Sequence, residues 1–202
     1  MHGKTHFVFD LDGTLTATET LPMIGSHFGL EAQIAAMTES AVRGTVPYVE
    51  NFISRVNLLA DLPVDAVARL LAAVPLHERL FAFVQAHAGQ CSIATTNLDV
   101  WLARLAERIP CALHCSEAVV ERNAVRTLRT ILKKETVVHR LRKEGWRVVF
   151  VGEGHNDMEA MRVADLAVAS GLTHSPAPGV LSLADYLCCE ENALCRLLEQ
   201  LC

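Results

Sequence analysis

Two carboxylates, two residues apart, are the first residues in the sequence whose types and spacing favour chemistry. Asp10 and Asp12 directly follow an apolar run at 7–9, and Gly13 permits a sharp turn after them. One carboxylate could attack phosphorus as a nucleophile while the other protonates the leaving oxygen. A divalent cation would offset the repulsion between both carboxylates and a phosphate. A solvated turn that caps the next helix is the alternative.

A second acidic group follows another apolar run, at 148–151. The segment Gly-Glu153-Gly-His-Asn156-Asp157 adds two acidic oxygen donors just before a helical pattern. Hard oxygen ligands favour Mg²⁺ over softer metals. The alternative is an ordinary loop whose Asn or Asp caps the helix. Together the two acidic groups predict a magnesium site.

Two further groups could bind a phosphate. Thr95, Thr96 and Asn97 follow the apolar run at 91–94 and offer hydroxyl and backbone N–H groups at the start of a helix. Lys134 precedes a helical run at 135–144 and could supply positive charge to a transferring group. Surface positions without a role are the alternative for each of them.

The elements that carry these residues alternate between strand and helix. Short apolar runs at 7–9, 91–94 and 148–151 predict buried parallel strands, and helical patterns at 98–108 and 156–164 follow the last two. This order predicts an α/β fold with a doubly wound, mainly parallel sheet. Ligands bind beyond the carboxyl ends of strands in such sheets, where the polar groups above fall.

A helical insert separates the first strand from a helix at 76–87. It is roughly 60 residues long, too long for an ordinary connection. Pro and Gly residues divide it into about four helices, near 21–28, 31–43, 47–59 and 63–73. We expect residues 17–75 to form a cap subdomain on a core made of 1–16 and 76–202. Near the end, 185–187 predicts a last short strand and 192–201 a closing helix.

Composition excludes several classes of protein. The 202 residues are 51% hydrophobic and 20% charged, which excludes a disordered chain. The net charge of -5 argues against the broad basic surface that nucleic-acid-binding proteins carry. Apolar runs such as 147–151 are too short to span a membrane. Seven Cys and a start without a secretory signal favour free thiols in the cytoplasm. We expect a monomer or homodimer. Cys111, His114 and Cys115 lack the second pair of ligands that a zinc site needs.

Taken in order, the Asp-Leu-Asp-Gly-Thr run, Thr95, Lys134 and the Gly-Glu-Gly-His-Asn-Asp run resemble the four motifs of the haloacid dehalogenase superfamily. The insert resembles the small four-helix cap of its phosphoserine phosphatase subgroup. That match runs from Glu19-Thr20 through Gly44, Tyr48 and Arg55-Val56 to the segment 58–63. The resemblance implies a Rossmann-like core with an inserted four-helix cap.

The resemblance also implies roles. Asp10 would form an aspartyl-phosphate, Asp12 would act as general acid and then as base, and Thr95 and Lys134 would hold the phosphoryl group. The implied Mg²⁺ ligands are the Asp10 carboxylate, the Asp12 main-chain carbonyl, Glu153 and Asp157, with Asn156 in support.

In the cap, Glu19 and Arg55 fall where phosphoserine enzymes meet the substrate's ammonium and carboxylate, and Tyr48 falls at an aromatic position beside them. A planar guanidinium suits a carboxylate. Alternatively, Glu19 favours a helix N-terminus and Arg55 lies on a solvated helix face.

Three positions depart from the family pattern. Glu153 stands where Asp is usual, which bears on metal geometry. Thr96 and Asn97 stand where two Gly are usual, which bears on substrate choice. The segment 115–133 is short for the strand hairpin that often flanks the site in this subgroup.

The sequence therefore predicts a cytoplasmic, Mg²⁺-dependent phosphomonoester hydrolase that acts on a small metabolite. Phosphoserine or a similar carboxylate-bearing phosphate is the expected substrate. A phosphotransferase that uses the same aspartyl-phosphate is one alternative, and a non-catalytic binding protein is another.

Overall fold

The computed structural model describes residues 4–42 and 47–202, and of residues 38–42 the backbone alone. A seven-stranded sheet in the order β4-β3-β2-β1-β5-β6-β7 runs through this part of the chain. Its strands are β1 Thr5–Phe9, β2 Cys91–Leu98, β3 Ala112–Glu121, β4 Ala124–Thr130, β5 Arg147–Gly152, β6 Leu166–Ser170 and β7 Tyr186–Cys188. Neighbouring strands are parallel except β3 and β4. The predicted doubly wound, mainly parallel α/β sheet is confirmed.

Both faces of the sheet are covered by helices, and the side chains of β1 alternate between two apolar clusters. Phe7 and Phe9 belong to one cluster, and Val8 belongs to the other. The helices outside the insert are α5 Glu78–Ala86, α6 Asp99–Ala106, α7 Lys134–Lys143, α8 Met158–Val163, α9 Pro178–Leu181 and α10 Glu191–Leu201. Strand β1 pairs with β2 on one side and β5 on the other, so its carboxyl end lies where the sheet order reverses.

The described part of the insert contains four helices, close to the predicted bounds. They are α1 Thr20–Phe28, α2 Glu31–Val42, α3 Tyr48–Leu59 and α4 Val64–Ala72. Helix α1 ends at Gly29, whose φ of 70° is left-handed, as a C-cap glycine allows. Gly44 and the predicted end of the second helix lie outside the described residues. Apolar side chains of the insert, such as Ile24 and Leu59, join the same core cluster as Phe7.

The segment after β2 differs from the sequence-based expectation. Strands β3 and β4 form an antiparallel hairpin, so the expectation that 115–133 is short for one was wrong. Only Arg122 and Asn123 connect the strands, and their φ values of 51° and 63° suit a tight two-residue turn. A connection this short leaves enough residues for both strands. Strand β2 also continues through Leu98, so α6 begins at Asp99 and not at the predicted position 98.

Within the described residues, no helix combines the length and the apolar character needed to cross a bilayer.

We expect buried His6 on β1 to make the stability of the protein dependent on pH. Its Nε2 is 2.8 Å from Ser92 Oγ, and burial, aided by His114 and Arg140, lowers its pKa from 6.5 to about 4. Between these values the unfolded chain binds a proton that the folded chain does not, so stability falls as the pH falls. At pH 5 this single group costs about 2 kcal/mol. Urea unfolding at pH 7.5 and 5 should show a smaller loss for His6→Gln than for the wild type; equal losses would contradict this assignment.

Candidate active site

The turn after β1 fixes the two carboxylates of the first motif. Asp10 continues the strand, donating its backbone N–H to the Val151 carbonyl at 2.9 Å, and is 2% exposed. Gly13 has a φ of 72°, which an L side chain disfavours. The hydroxyl of Thr16 accepts the Gly13 N–H at 3.0 Å and closes the turn. The chain therefore reverses sharply enough to bring Asp10 and Asp12 to one cavity.

Asp12 is held from both sides. Its Oδ1 accepts the Thr20 hydroxyl and, at 3.3 Å, the Thr20 backbone N–H. Its Oδ2 accepts the Thr95 hydroxyl at 3.3 Å. The Asn97 side-chain amide donates to the Thr20 hydroxyl at 3.1 Å, which adds a second layer of support. Burial raises the pKa of Asp12, Glu19 raises it further, and the hydrogen bonds from Thr20 oppose the rise. A carboxyl with a raised pKa suits a proton donor.

Lys134, the first residue of α7, joins the two acidic motifs. Its Nζ donates to Asp10 Oδ1 at 2.5 Å and to Asp157 Oδ1 at 2.6 Å, and its side chain is 1% exposed. Burial alone would lower the pKa of Lys134, but the two carboxylates outweigh burial and the net shift is upward. The ammonium is therefore charged at neutral pH.

The backbone around Asp157 explains the glycines of the second acidic motif. Asp157 Oδ2 accepts the N–H groups of Glu153 and Gly154, both at 2.9 Å. A Cβ on Gly152 would lie 2.5 Å from Asp157 Oδ2. The missing side chain at Gly152 lets the carboxylate approach the main chain closely.

Carboxylate oxygens of Asp10, Glu153 and Asp157 lie within 4.8 Å of one another. Burial raises the pKa of Asp10, and the Asp157 carboxylate raises it further. Burial also raises the pKa of Glu153 to about 7, with Asp157 adding to the rise and His174 opposing it. The Lys134 ammonium donates to two of these three carboxylates, Asp10 and Asp157. An all-oxygen donor set with surplus negative charge fits Mg²⁺. The longer Glu153 side chain still reaches this cluster.

A cavity of about 190 Å³ lies between the strand ends and the insert. Nine of the residues predicted for the site line it: Asp10, Asp12, Glu19, Tyr48, Arg55, Thr96, Asn97, Glu153 and Asn156. The remaining three are linked to them by hydrogen bonds, since Thr95 donates to Asp12 and Lys134 donates to both Asp10 and Asp157. The structure therefore brings all of the predicted residues together, while their roles stay predictions.

Residues of the insert close one side of the cavity. The Tyr48 hydroxyl is 2.5 Å from the Thr96 hydroxyl, so α3 meets the end of β2. Arg55 is half-buried, and burial lowers the pKa of its guanidinium. Glu19 stands at the N-terminus of α1, yet its side chain makes no capping bond within the described helix. Its carboxylate instead contacts the ring of His174 at 2.8 Å.

Sequence reasoning gave no role to three residues of this site, Thr20, Trp101 and His174. Thr20 binds Asp12, Trp101 lines the cavity, and His174 binds Glu19. His174 lies just beyond the apolar strand β6, and side chains that follow a parallel strand collect at the same edge as Asp10. The position of His174 after an apolar strand could therefore have indicated that it belongs to the site. Thr20 and Trp101 lie on helices that carry no comparable signal.

Comparison with known proteins finds phosphoserine phosphatases similar to this chain in sequence and in fold. The phosphoserine phosphatase SerB2 of Mycobacterium tuberculosis is 26% identical over 195 residues, covering 90% of this chain and 47% of the relative. A phosphoserine phosphatase of Idiomarina loihiensis is 25% identical over 209 residues, covering 96% and 92%. A solved phospho-aspartyl intermediate analogue of phosphoserine phosphatase shares the fold, with a TM-score of 0.80, 21% identity and coverage of 98% and 99%.

The chain spans about half the length of two of its curated relatives, SerB2 and a phosphoserine phosphatase of Archaeoglobus fulgidus. A family model described as haloacid dehalogenase-like hydrolase matches residues 7–162. This match begins in β1 and ends in α8, so it contains both acidic motifs, Lys134 and the insert. The chain therefore belongs to the haloacid dehalogenase-like hydrolase family.

Proposed function

We propose that this protein is a Mg²⁺-dependent phosphomonoester hydrolase that acts through an aspartyl-phosphate on Asp10. The observation that carries the proposal is the pair Asp10 and Asp12 at one cavity in different environments. Lys134 donates to Asp10, whereas threonine hydroxyls hold Asp12. Two carboxyls held in different ways can take the separate roles of nucleophile and proton donor.

In the first step an Asp10 carboxylate oxygen attacks phosphorus, and the bond between phosphorus and the ester oxygen breaks. The raised pKa of Asp12 allows its carboxyl to give a proton to that leaving oxygen. The product alcohol then departs, and the phosphoryl group stays on Asp10. Thr95, which donates to Asp12, and Lys134, which donates to Asp10, would support the phosphoryl group.

In the second step Asp12, now a carboxylate, accepts a proton from water. The water oxygen attacks phosphorus, the bond from phosphorus to Asp10 breaks, and inorganic phosphate leaves with the Asp10 carboxylate restored. The Thr20 and Thr95 hydroxyls hold Asp12 on opposite oxygens, so its position is fixed for both proton transfers.

Glu153, Asp157, the Asp10 carboxylate and the Asp12 main-chain carbonyl would hold Mg²⁺, with Asn156 in support. The ion, when bound, supplies positive charge that offsets repulsion between the carboxylates and a phosphate. The surplus of buried negative charge in the cluster of Asp10, Glu153 and Asp157 supports this assignment.

The substrate we propose is a phosphate ester of a small carboxylic acid, with phosphoserine as the first candidate. Glu19, Tyr48 and Arg55 lie on the insert side of the cavity, and its modest volume suits a small metabolite. Several relatives are phosphoserine phosphatases, which supports the same class. Thr96 and Asn97 also line the cavity, so they are available to contact the substrate.

The direct test is phosphate release with Mg²⁺ from a panel of small phosphomonoesters. The panel includes both enantiomers of phosphoserine, phosphothreonine, sugar phosphates and nucleotides, with Asp10→Asn as the blank. Release from phosphoserine or another carboxylate-bearing ester supports the proposal. Absence of release from every ester with Mg²⁺ or Mn²⁺ would favour a non-catalytic protein.

Replacing Arg55 with Ala tests recognition of the carboxylate. We expect kcat/KM for phosphoserine to fall about 10- to 100-fold, because a charge-assisted hydrogen bond of about 1.5–3 kcal/mol is lost. Turnover of an aryl phosphate without a carboxylate should change little. Arg104→Ala, at an exposed position on α6, is the control. Equal losses on both substrates would show that Arg55 has no role in carboxylate recognition.

We also propose that the core comprises 1–16 and 76–202 and that the cap comprises 17–75. Thr16 and Leu76 pair as an isolated antiparallel bridge, and Ala17 donates its N–H to the Pro75 carbonyl at 2.9 Å. The two crossings of the chain between core and insert thus lie side by side, which supports a boundary there.

A further inference from the structure

The loop between β6 and α9 brings a histidine against Glu19 and Glu153, two residues that line the cavity. His174 Nε2 lies 2.8 Å from Glu19 Oε1 and 3.3 Å from Glu153 Oε2. Its other ring nitrogen, Nδ1, lies 3.1 Å from the Ser175 carbonyl. Both ring nitrogens face oxygen acceptors, so both act as donors. One side chain of the loop therefore supplies a hydrogen bond to the Glu19 carboxylate.

Hydrogen bonds on both sides of His174 hold the loop in place. The Thr173 hydroxyl donates to the Thr16 carbonyl at 3.3 Å and lies 3.1 Å from His77 Nε2. Ala177 donates its N–H to the Glu153 carbonyl at 2.9 Å. The ring is thus attached to the same turns that carry the two acidic motifs, and its contact with Glu19 is part of the site.

The turn after β1 leaves space for this contact. A Cβ on Gly13 would lie 2.6 Å from Glu19 Oε1 and 3.3 Å from His174 Nε2. A side chain at residue 13 would therefore collide with the Glu19–His174 pair. The pair also borders the cavity, because Glu19 lines it together with Asp12 and Arg55.

We infer that His174 is a specificity-determining residue that occupies the place of a substrate ammonium on Glu19. The inference rests on the proposed function, in which Glu19 and Arg55 face a small carboxylate-bearing phosphate. A substrate ammonium binds most strongly to a carboxylate that no other donor contacts. Glu19 already accepts a hydrogen bond from His174. An ester with a hydroxyl in place of the ammonium loses less affinity when His174 occupies Glu19, because a neutral hydroxyl gains less from the carboxylate. His174 thus shifts preference from amino-acid phosphates toward hydroxy-acid phosphates.

The test compares phosphoserine with 3-phosphoglycerate, which carries a hydroxyl where phosphoserine carries the ammonium. In the wild type we expect kcat/KM for the two esters to differ by no more than about threefold. In His174→Ala, Glu19 becomes available, and the ratio of phosphoserine to 3-phosphoglycerate should rise at least about tenfold. His174→Gln, which keeps a donor, should stay near the wild-type ratio. His139→Ala, at an exposed position on α7, is the matched control.

Binding measured without turnover separates this inference from the proposed function. Calorimetric titration of both esters into Asp10→Asn, with and without His174→Ala, gives the ratio of the phosphoserine association constant to that of 3-phosphoglycerate. A rise in that ratio supports the role of His174 even where the wild type hydrolyses neither ester. A ratio that stays within twofold in both assays, or binding of neither ester, would overturn the inference. Hydrolysis of both esters with an unchanged ratio would reject His174 alone and leave the hydrolase intact.

Discussion

Asp10→Asn should lower kcat for every phosphomonoester by at least about a thousandfold, because an amide cannot form the acyl phosphate. The fold should survive the change. Asp10 lies in a buried cluster with Glu153 and Asp157, and both burial and Asp157 raise its pKa. Removing one of these crowded carboxylates relieves repulsion, so the loss of turnover comes without a loss of structure. Initial rates of phosphate release and the midpoint of thermal unfolding measure the two effects.

The matched control is Asp61→Asn, since the Asp61 side chain is 92% exposed and pairs with Arg126, and neither residue lines the cavity. Its rates should equal those of the wild type. Denaturing mass spectrometry of enzyme quenched during turnover should show an added phosphoryl group in the wild type and none in Asp10→Asn. Activity of Asp10→Asn within about tenfold of the wild type would end the covalent mechanism.

The fold and the position of the site were predictable because strand ends carry their own signal. Apolar runs that stop at Asp10, Thr95 and Gly152 define buried strands, and parallel strands collect their carboxyl ends at one edge. In the structure Asp10 directly follows β1 and Gly152 ends β5, while Thr95 lies three residues before the end of β2. The helices of the insert were also predictable, since Pro47 and Pro63 directly precede α3 and α4.

Contacts between side chains from distant segments could not be predicted from the sequence in this way. Thr20 reaches Asp12 because α1 begins just above the turn, a matter of packing and not of periodicity. His174 reaches Glu19 because Thr173 and Ala177 fix its loop. The β3–β4 hairpin was missed because its two-residue turn at Arg122 and Asn123 is tighter than a typical loop. Local pattern predicts elements, whereas these contacts depend on how elements pack.

The charge balance behind the cavity follows from one such contact. Lys134 is buried with Asp10 and Asp157, and it neutralises two carboxylates only in part. Buried ion pairs are costly to form, but removing one partner is costlier because the remaining charge stays buried. Lys134 therefore has two effects, since it supports the phosphoryl group in the proposed mechanism and stabilises the fold.

Lys134→Ala should lower the free energy of unfolding by about 3–5 kcal/mol in metal-free buffer, because Asp10 and Asp157 lose their shared ammonium. Adding Asp157→Asn should recover part of this loss in stability, since it removes the repulsion between the Asp10 and Asp157 carboxylates. The double variant should still be inactive. Lowering the pH should also reduce the difference from the wild type. Burial and Asp157 raise the pKa of Asp10 and Lys134 opposes that rise, so loss of the ammonium favours the protonated Asp10 carboxyl in the folded variant. Urea unfolding followed by tryptophan fluorescence measures each difference.

The neighbouring Lys133→Ala is the control, because Lys133 is exposed and lies directly before α7. Its free energy of unfolding should stay within about 0.5 kcal/mol of the wild type, as for most surface substitutions. If Lys134→Ala were as stable as Lys133→Ala, the two carboxylates would not depend on the ammonium for charge balance. If Asp157→Asn instead deepened the loss, the hydrogen bonds that Asp157 Oδ2 accepts from the N–H groups of Glu153 and Gly154 would outweigh the repulsion from Asp10. The double variant therefore separates a charge role for Asp157 from a backbone role.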